Sequence, residues 1–414
     1  MQHTTSHWDV VVVGGGPAGA CTAGLLARKG RRVLVLEKER FPRYHVGESM
    51  ITGMISVTDE LGMTDRLEAE GFEHKPGLSL VWGKEHGLWD LKFKEAGPYA
   101  YSYHVDRDRF DEMLLDRAAE LGATVRQEAS VREPLMEGDR VCGVRYQHGG
   151  EMHDARASLV VDASGQARVV ARRFSDVEWH QDLKNLAVWS YFTGCGSLPE
   201  DQHGNILVER NKDCSGWFWG IPLGEDRMSV GFVAPTEDVK IERGDLQGFF
   251  HNKLQETEIM RDLLDGSECV SEYRTARDWS YMAHDYYGPG WVSVGDASCF
   301  VDPLLSSGVC LGMLCSVPLA DGIDRILDAP EKEARILERY AEGCRTFHQG
   351  ITDYVLFFYE QERDKEDYFE RAHSIANNPL FNSPRAGFVG LVSGIAGMGT
   401  VFHMYDDEEA AAAP

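Results

Sequence analysis

The chain has 414 residues, 43% of them hydrophobic. At roughly 150 residues per domain this is material for two or three core-bearing units, which excludes a largely disordered chain. Its 42 basic and 67 acidic side chains give a formal charge of −25. Such a field repels phosphate backbones and anionic lipid, so neither nucleic acid nor a membrane surface is expected as a partner. The nine cysteines are odd in number and form no CxxC pair. That scatter fits a reducing, cytoplasmic setting and argues against a disulfide framework or a structural metal site.

The opening MQHTTSHWDV lacks the basic-then-apolar layout of a secretory leader. Next, DVVVV (9–13) reads as a buried strand, GGGPAG (14–19) as a turn, and the Ala/Leu-rich run to Lys29 as a helix. Gly30 ends that helix, and RRVLVLEK forms a second strand with Glu37 at its end. Gly14, Gly16 and Gly19 occupy the positions of GxGxxG in this βαβ opening. The first permits the tight turn, the second admits a pyrophosphate to the backbone, and the third lets helix pack on strand. The helix N-terminus then faces the diphosphate, beside Pro17 and Ala18. Glu37, followed by Lys38, is placed to accept ribose hydroxyls, and its charge would repel a 2′-phosphate.

An amphipathic helix is expected over 106–121, with Phe110, Met113, Leu114, Ala118 and Leu121 on one face. A strand and hairpin follow over 123–146, and SLVVDASG (158–165) is a second buried strand ending in a small-residue turn. LAVWSYF, NILVE, WFWGIP and MSVGFV, between 186 and 233, predict a separate sheet. WVSVGDAS (291–298) is a further buried strand ending in Gly295 and Asp296, and the chain is helical after Ser307. The uncharged stretch around 386–404 contains several glycines and reads as a buried, interrupted helix rather than a membrane span. DDEEAAAAP reads as a frayed acidic tail.

One GxGxxG and a distant Gly-Asp after a strand is the plan of an FAD-binding fold, with Asp296 reaching the ribityl or diphosphate region. The expected class is α/β: an FAD-binding Rossmann-like βαβ fold with an inserted β-sheet substrate domain and a helical C-terminal region. The expected divisions are 1–175 for the first FAD-binding part, with a substrate-side insertion at 45–100, then 176–275 for the substrate sheet. The FAD-binding part returns at 276–330, and helices fill 331–414. No second GxGxxG offers a separate NAD(P)H domain, so the flavin must be reduced by free NAD(P)H or by another protein.

Four further motifs carry a resemblance: FPRYHVGES (41–49), Lys75 in FEHKPG, GWFWGIP (216–222) and GDASCFVDPLLSSGV (295–309). Together they resemble the flavin-dependent halogenases over about residues 8–350, with Trp217, Trp219, Ile221 and Pro222 forming the family's WxWxIP mark. The resemblance implies that reduced FAD and O2 convert chloride or bromide to hypohalous acid. This acid travels to Lys75, and an electron-rich aromatic carbon then takes the halogen. FAD would be bordered by Glu48, Ser49, Arg107, Gly295, Asp296, Pro303, Gly308 and Val309. Halide would sit at the N–H groups of Ser307 and Gly308, and Trp217, Trp219, Ile221, Pro222 and Leu305 would line the path to substrate. Arg107 equally suits an i,i+4 pair with Asp111. Arg43 and His45 suit surface packing.

The tryptophan-type members carry a glutamate where this chain has Leu305 in DPLLSSG. Its loss resembles the branch acting on phenols or on carrier-bound pyrroles, and free tryptophan is disfavoured. A partner flavin reductase is implied, in secondary-metabolite or antibiotic biosynthesis. The alternatives are an FAD-dependent monooxygenase (hydroxylase), or a prenyl or polyketide double-bond reductase of the geranylgeranyl reductase type. The aromatics of DYVLFFYEQ (353–361) suit either a wall for a planar substrate or simple packing on the core. Because Arg335, Arg339, Arg345 and Arg371 are dispersed among carboxylates, no basic patch is evident for an acidic carrier protein, which favours a free phenol.

Overall fold

The computed structural model describes residues 7–239, 241, 244–360, 362–402, 404 and 405; the acidic tail lies outside them. The opening strand is His7–Val13, and Val10–Val13 are fully covered because helices and sheet residues close on both faces. It pairs in parallel with Val33–Leu36 on one side and with Glu151–Asp162 on the other. Trp291–Ser293 and Thr124–Arg126 extend the parallel sheet at its two ends. The hairpin Ser130–Glu137 and Arg140–His148 and the short strand Tyr287–Gly288 add antiparallel strands, making eight in all among the described residues. Helix Pro17–Arg28 fills the first crossover, and helices Arg107–Glu120 and Gly308–Asp328 pack against it. Each sits within a residue or two of its sequence-based position.

The second sheet has nine strands among the described residues and is larger than expected. Its centre is Val177–Thr193, Arg227–Pro235, Trp217–Pro222 and Ile206–Arg210. It also takes in Gly77–Trp82 and Gly87–Lys92, and on its other side Arg274–Ala283 and Cys299–Phe300. The expected 176–275 boundary is therefore corrected: Arg274–Ala283 pairs with Val177–Thr193 and belongs to this sheet. The chain re-enters the first sheet only at Tyr287–Gly288. Sequence patterning placed the four central strands but not Gly87–Lys92, Arg274–Ala283 or Cys299–Phe300, and it gave no partner for Gly77–Trp82, whose neighbour Ile206–Arg210 lies more than a hundred residues on.

The C-terminal helices Glu333–Phe358 and Lys365–Ala376 close one side. Tyr354, Phe358, Tyr368 and Phe369 are buried against Trp82, Trp89 and Phe388, so the aromatic stretch is packing between helix and sheet. The uncharged terminal stretch forms two short helices, Pro384–Val392 and Ile395–Phe402, separated by Gly394 at φ +78°. Among the described residues, no helix is long and apolar enough to cross a membrane.

Gly231 sits between two indoles. It pairs with Trp219 on one neighbouring strand and with Trp189 on the other, and the two indole rings lie 6.3 Å apart across it. A Cβ at this position would stand 2.2 Å from the Trp219 ring. Gly231→Ala is expected to lower unfolding free energy by roughly 1–3 kcal/mol and to displace that indole, as overpacking does. Chemical denaturation with tryptophan fluorescence measures both effects.

Candidate active site

A cavity of about 430 Å³ opens where the glycine-rich turn, the Gly-Asp segment and the tryptophan strand converge. Gly14 turns at φ +105°, where a Cβ would meet the Ala163 carbonyl oxygen at 2.3 Å. The Cβ position of Gly16 has nothing nearer than the Arg43 guanidinium at 3.5 Å, so its backbone is open to a ligand. Pro17 and Ala18 line the cavity beside it. Gly19 does not line it: a Cβ there would lie 2.1 Å from the Gly14 carbonyl oxygen, so this glycine serves close helix packing.

Glu37 is buried at the edge of the cavity, with Lys38 beside it. Its carboxylate accepts the N–H groups of Gly15 at 2.7 Å and Glu39 at 2.9 Å. Arg107 is buried, donates to both Asp111 carboxylate oxygens at 2.8 and 3.0 Å, and donates also to the Val46 and Gly47 carbonyls. Arg107 thus makes the i,i+4 pair and also lines the cavity. Arg43 and His45 line it too, His45 while remaining exposed to solvent. Arg43 approaches Asp111 at 3.2 Å and brings a cation to the glycine-rich turn.

Glu48 is buried and accepts a 2.7 Å hydrogen bond from the Tyr191 hydroxyl. Burial raises its carboxyl above the usual range. Asp296 lines the opposite wall with Gly295, and burial pushes its carboxyl up to about 6. Pro303, Ser307, Gly308 and Val309 complete that wall at the start of helix Gly308–Asp328. The hydroxyl oxygens of Ser49 and Ser307 are buried at the cavity without a hydrogen-bond partner.

Trp217, Trp219 and Ile221 alternate onto the cavity face. Pro222 does not line it, because the period of two turns it the other way, with Phe218. Leu305 also departs from expectation: it is buried in the main core, while its neighbours Leu304 and Ser306 line the cavity. A hydrogen-bond chain that the sequence did not disclose anchors the wall. The Trp217 indole donates to the Tyr359 hydroxyl at 2.9 Å, and that hydroxyl donates to Asp302 at 3.1 Å. Asn185 donates to Asp302 at 2.7 Å. Asp302 lay inside the quoted 295–309 motif and Tyr359 inside DYVLFFYEQ; only the fold brings them together.

Lys75 lies outside the cavity lining, fully buried, with no hydrogen-bond partner for Nζ and with the Phe93 ring centroid 5.5 Å away. Nearby Lys92, by contrast, pairs with Asp90 at 2.9 Å. Burial alone drives the Lys75 ammonium down to about 7. Among the described residues, no group of three His, Cys, Asp or Glu side chains is placed to hold a metal ion.

The open backbone at Gly16, the adjacent Arg43 cation and the unpaired Ser49 and Ser307 hydroxyls fit an extended dinucleotide. The chain matches the tryptophan halogenase family over residues 9–99 and 94–383 and belongs to it, as an FAD-dependent halogenase. It is 34% identical over 407 residues to a tryptophan 2-halogenase of Chondromyces crocatus, covering 95% of this chain and 77% of that protein. It is 30% identical to the sulochrin halogenase of Aspergillus terreus, covering 77% and 63% of the two chains. Its fold superposes on the myxobacterial chondrochloren halogenase CndH with a TM-score of 0.83 at 31% identity, over 95% of this chain and 97% of that one. These matches favour halogenation over the hydroxylase and double-bond reductase readings. FAD, halide and O2 are accordingly its reactants.

Two substitutions probe this architecture. An unfolded lysine keeps its proton up to about pH 10.4, whereas Lys75 gives it up near 7. Its burial therefore destabilises the fold fully below pH 7, and this cost fades as pH rises toward 10.4. Lys75→Met is expected to gain a few kcal/mol of unfolding free energy at neutral pH and much less at pH 10. Denaturant titrations at both pH values measure the difference. Tyr359→Phe leaves the Trp217 N–H and Asp302 short of a partner, and is expected to cost about 1–3 kcal/mol in the same measurement.

Proposed function

We propose that the enzyme halogenates a free, phenolic small molecule in secondary metabolism, with Lys75 relaying the halogen. The single observation that carries this reading is the buried, unpartnered Lys75, held near pKa 7 outside the FAD cavity that Trp217 and Trp219 line. Bound FAD supplies the oxidising equivalents, drawn from O2, that turn chloride or bromide into hypohalous acid.

This chain's residues divide the remaining work. Arg43, Arg107 and the N-terminus of helix Pro17–Arg28 meet the diphosphate, Glu37 the ribose, and Asp296 the ribityl side. Glu48, Ser49, Pro303 and Val309 border the flavin ring. The Ser307 and Gly308 backbone N–H groups hold halide at the start of helix Gly308–Asp328, where the dipole favours an anion. Trp217, Trp219 and Ile221 keep the organic substrate away from the flavin. Near its pKa, Lys75 is present both as amine, able to take up halogen, and as ammonium, able to donate a proton to the departing oxygen. A partner flavin reductase supplies reduced FAD, since the chain has one GxGxxG.

Phenol is favoured over tryptophan by Leu305, which stands where the tryptophan-type members carry a glutamate. A free substrate is favoured over a carrier-bound one by the acidic surface, and Arg345 is taken up by the Ala283 and His284 carbonyls at 3.1 and 2.6 Å. Purified enzyme with a flavin reductase, NADH, FAD and bromide is expected to brominate simple phenols. Lys75→Ala is expected to abolish product while FAD binding, followed by flavin fluorescence, stays intact. Wild-type product formation by Lys75→Ala would overturn the relay, and hydroxylated product formed without halide would overturn halogenation.

A further inference from the structure

Strands Glu73–Lys75 and Ser102–His104 form a separate antiparallel ribbon in which Lys75 pairs with Ser102 and Glu73 with His104. Side chains alternate across such a ribbon, so Glu73, Lys75, Ser102 and His104 share one face, with Glu73 half-exposed at its edge, 3.9 Å from the exposed His203. The opposite face is fully occupied. There His74 stacks on Tyr101 at 3.9 Å, and Glu68 accepts the hydroxyls of Tyr101 and Tyr103 at 2.6 and 2.7 Å. On the first face, Lys75, Ser102 and His104 are each at most 1% exposed. Lys75 Nζ, Ser102 Oγ and His104 Nδ1 all lack a hydrogen-bond partner. Three unsatisfied polar atoms on one buried face call for a partner, a polar ligand or ordered water, that completes them.

The imidazole is fixed in one tautomer. Its Nε2 lies 2.9 Å from the Gly204 carbonyl oxygen. A carbonyl only accepts, so Nε2 carries the proton and Nδ1 of the neutral ring holds a free lone pair. Burial, with the Lys75 charge adding to it, keeps the ring neutral by holding its pKa well below the usual value. The acceptor is itself locked, because a Cβ at Gly204 would lie 2.4 Å from the His74 carbonyl oxygen. Ser49, bridged through its backbone to His104, lines the FAD cavity, so this face begins one residue pair from that cavity.

We propose that His104 is the catalytic base of halogen transfer, its Nδ1 taking the hydroxyl proton of a phenol seated against Lys75 and Ser102. This rests on the reading of Lys75 as relay and of a phenol as substrate. As the ring carbon bonds to halogen, the halogen–oxygen bond of hypohalous acid breaks and its electron pair leaves on hydroxide. The hydroxide takes a proton from the Lys75 ammonium and departs as water. The resulting halodienone then loses its ring C–H proton to the Lys75 amine, and its oxygen recovers the proton from His104. The sum is phenol plus hypohalous acid giving halophenol plus water, with both side chains restored. The phenolic hydroxyl becomes strongly acidic as the ring gives up electrons, so a weak base of fixed orientation suffices. A neutral imidazole also leaves the ammonium unpaired, where a carboxylate would bind it.

The test compares wild type, His104→Gln and Lys75→Ala, each with reductase, NADH, FAD and bromide at mildly alkaline pH. The substrates are 4-methylphenol, which is un-ionised there, and 4-nitrophenol, which is ionised and needs no base. The glutamine amide can keep the hydrogen bond to Gly204. His104→Gln is expected to lose ~100-fold or more in kcat on 4-methylphenol and less than ~5-fold on 4-nitrophenol, with hypobromous acid output, trapped by monochlorodimedone, unchanged. Equal losses on both phenols, or no loss on 4-methylphenol, would overturn the base. Wild-type activity of Lys75→Ala together with the selective loss in His104→Gln would overturn the relay and leave the base standing.

Discussion

The site depends on how closely two helices approach at their N-termini. Helix Pro17–Arg28 and helix Gly308–Asp328 meet through Ala18, Gly295 and Gly312. A Cβ on Gly295 would reach the Ala18 Cβ at 3.1 Å, and one on Gly312 would reach it at 3.2 Å. Any larger residue at these positions wedges the helices apart. With small residues there, both N-termini border one cavity, and their unpaired N–H groups and dipoles converge on ligands of negative charge. Gly14 and Gly19 apply the same constraint between strand and helix. One geometric condition, the absence of side chains at a few contacts, thus positions both walls of the cavity.

The tryptophan strand supplies the opposite condition, which is bulk. Trp189, Trp217 and Trp219 crowd one face, with ring centroids 6.3 Å apart, and Gly231 gives the space that lets two of them stand over the sheet. The wall is apolar toward the cavity and hydrogen-bonded at its rim, through Ser229, Tyr44 and Tyr359. Such a wall resists both water and deformation. On the proposed function, oxidant is made on the cofactor side of this wall and used at the buried Lys75 ribbon.

The parts legible in the sequence are those whose chemistry is local. The strand–turn–helix–strand opening needs three glycines at fixed spacing, and Glu37, Asp296, Trp217 and Lys75 each stood in a contiguous motif. Contacts between distant segments were not legible. The pairing of Gly77–Trp82 with Ile206–Arg210, and the junction of Asp302 with Tyr359, depend on a closed chain path. His104 was passed over because a single histidine on a short strand carries no spacing signal; its proposed role rests on which ring nitrogen is occupied. Pro222 and Leu305 were placed too near the substrate path because motif membership was read as proximity. Alternation along a strand and a tight turn before a helix each send one motif residue away from the cavity.

The bond from Tyr359 to Asp302 has a further consequence for how this fold can be recombined. Tyr359 caps the end of helix Glu333–Phe358, while Asp302 belongs to the segment that leads into the cofactor wall. The helical end is therefore keyed to the rest of the fold partly by this hydroxyl, which also steadies Trp217, and partly by Arg345 on the Ala283 and His284 carbonyls. It is not a free-standing cover. A chimera that imports another helical end keeps the Trp217 anchor only if it brings a hydroxyl to the same point, so this fold exchanges parts at its surface loops more readily than at its helices.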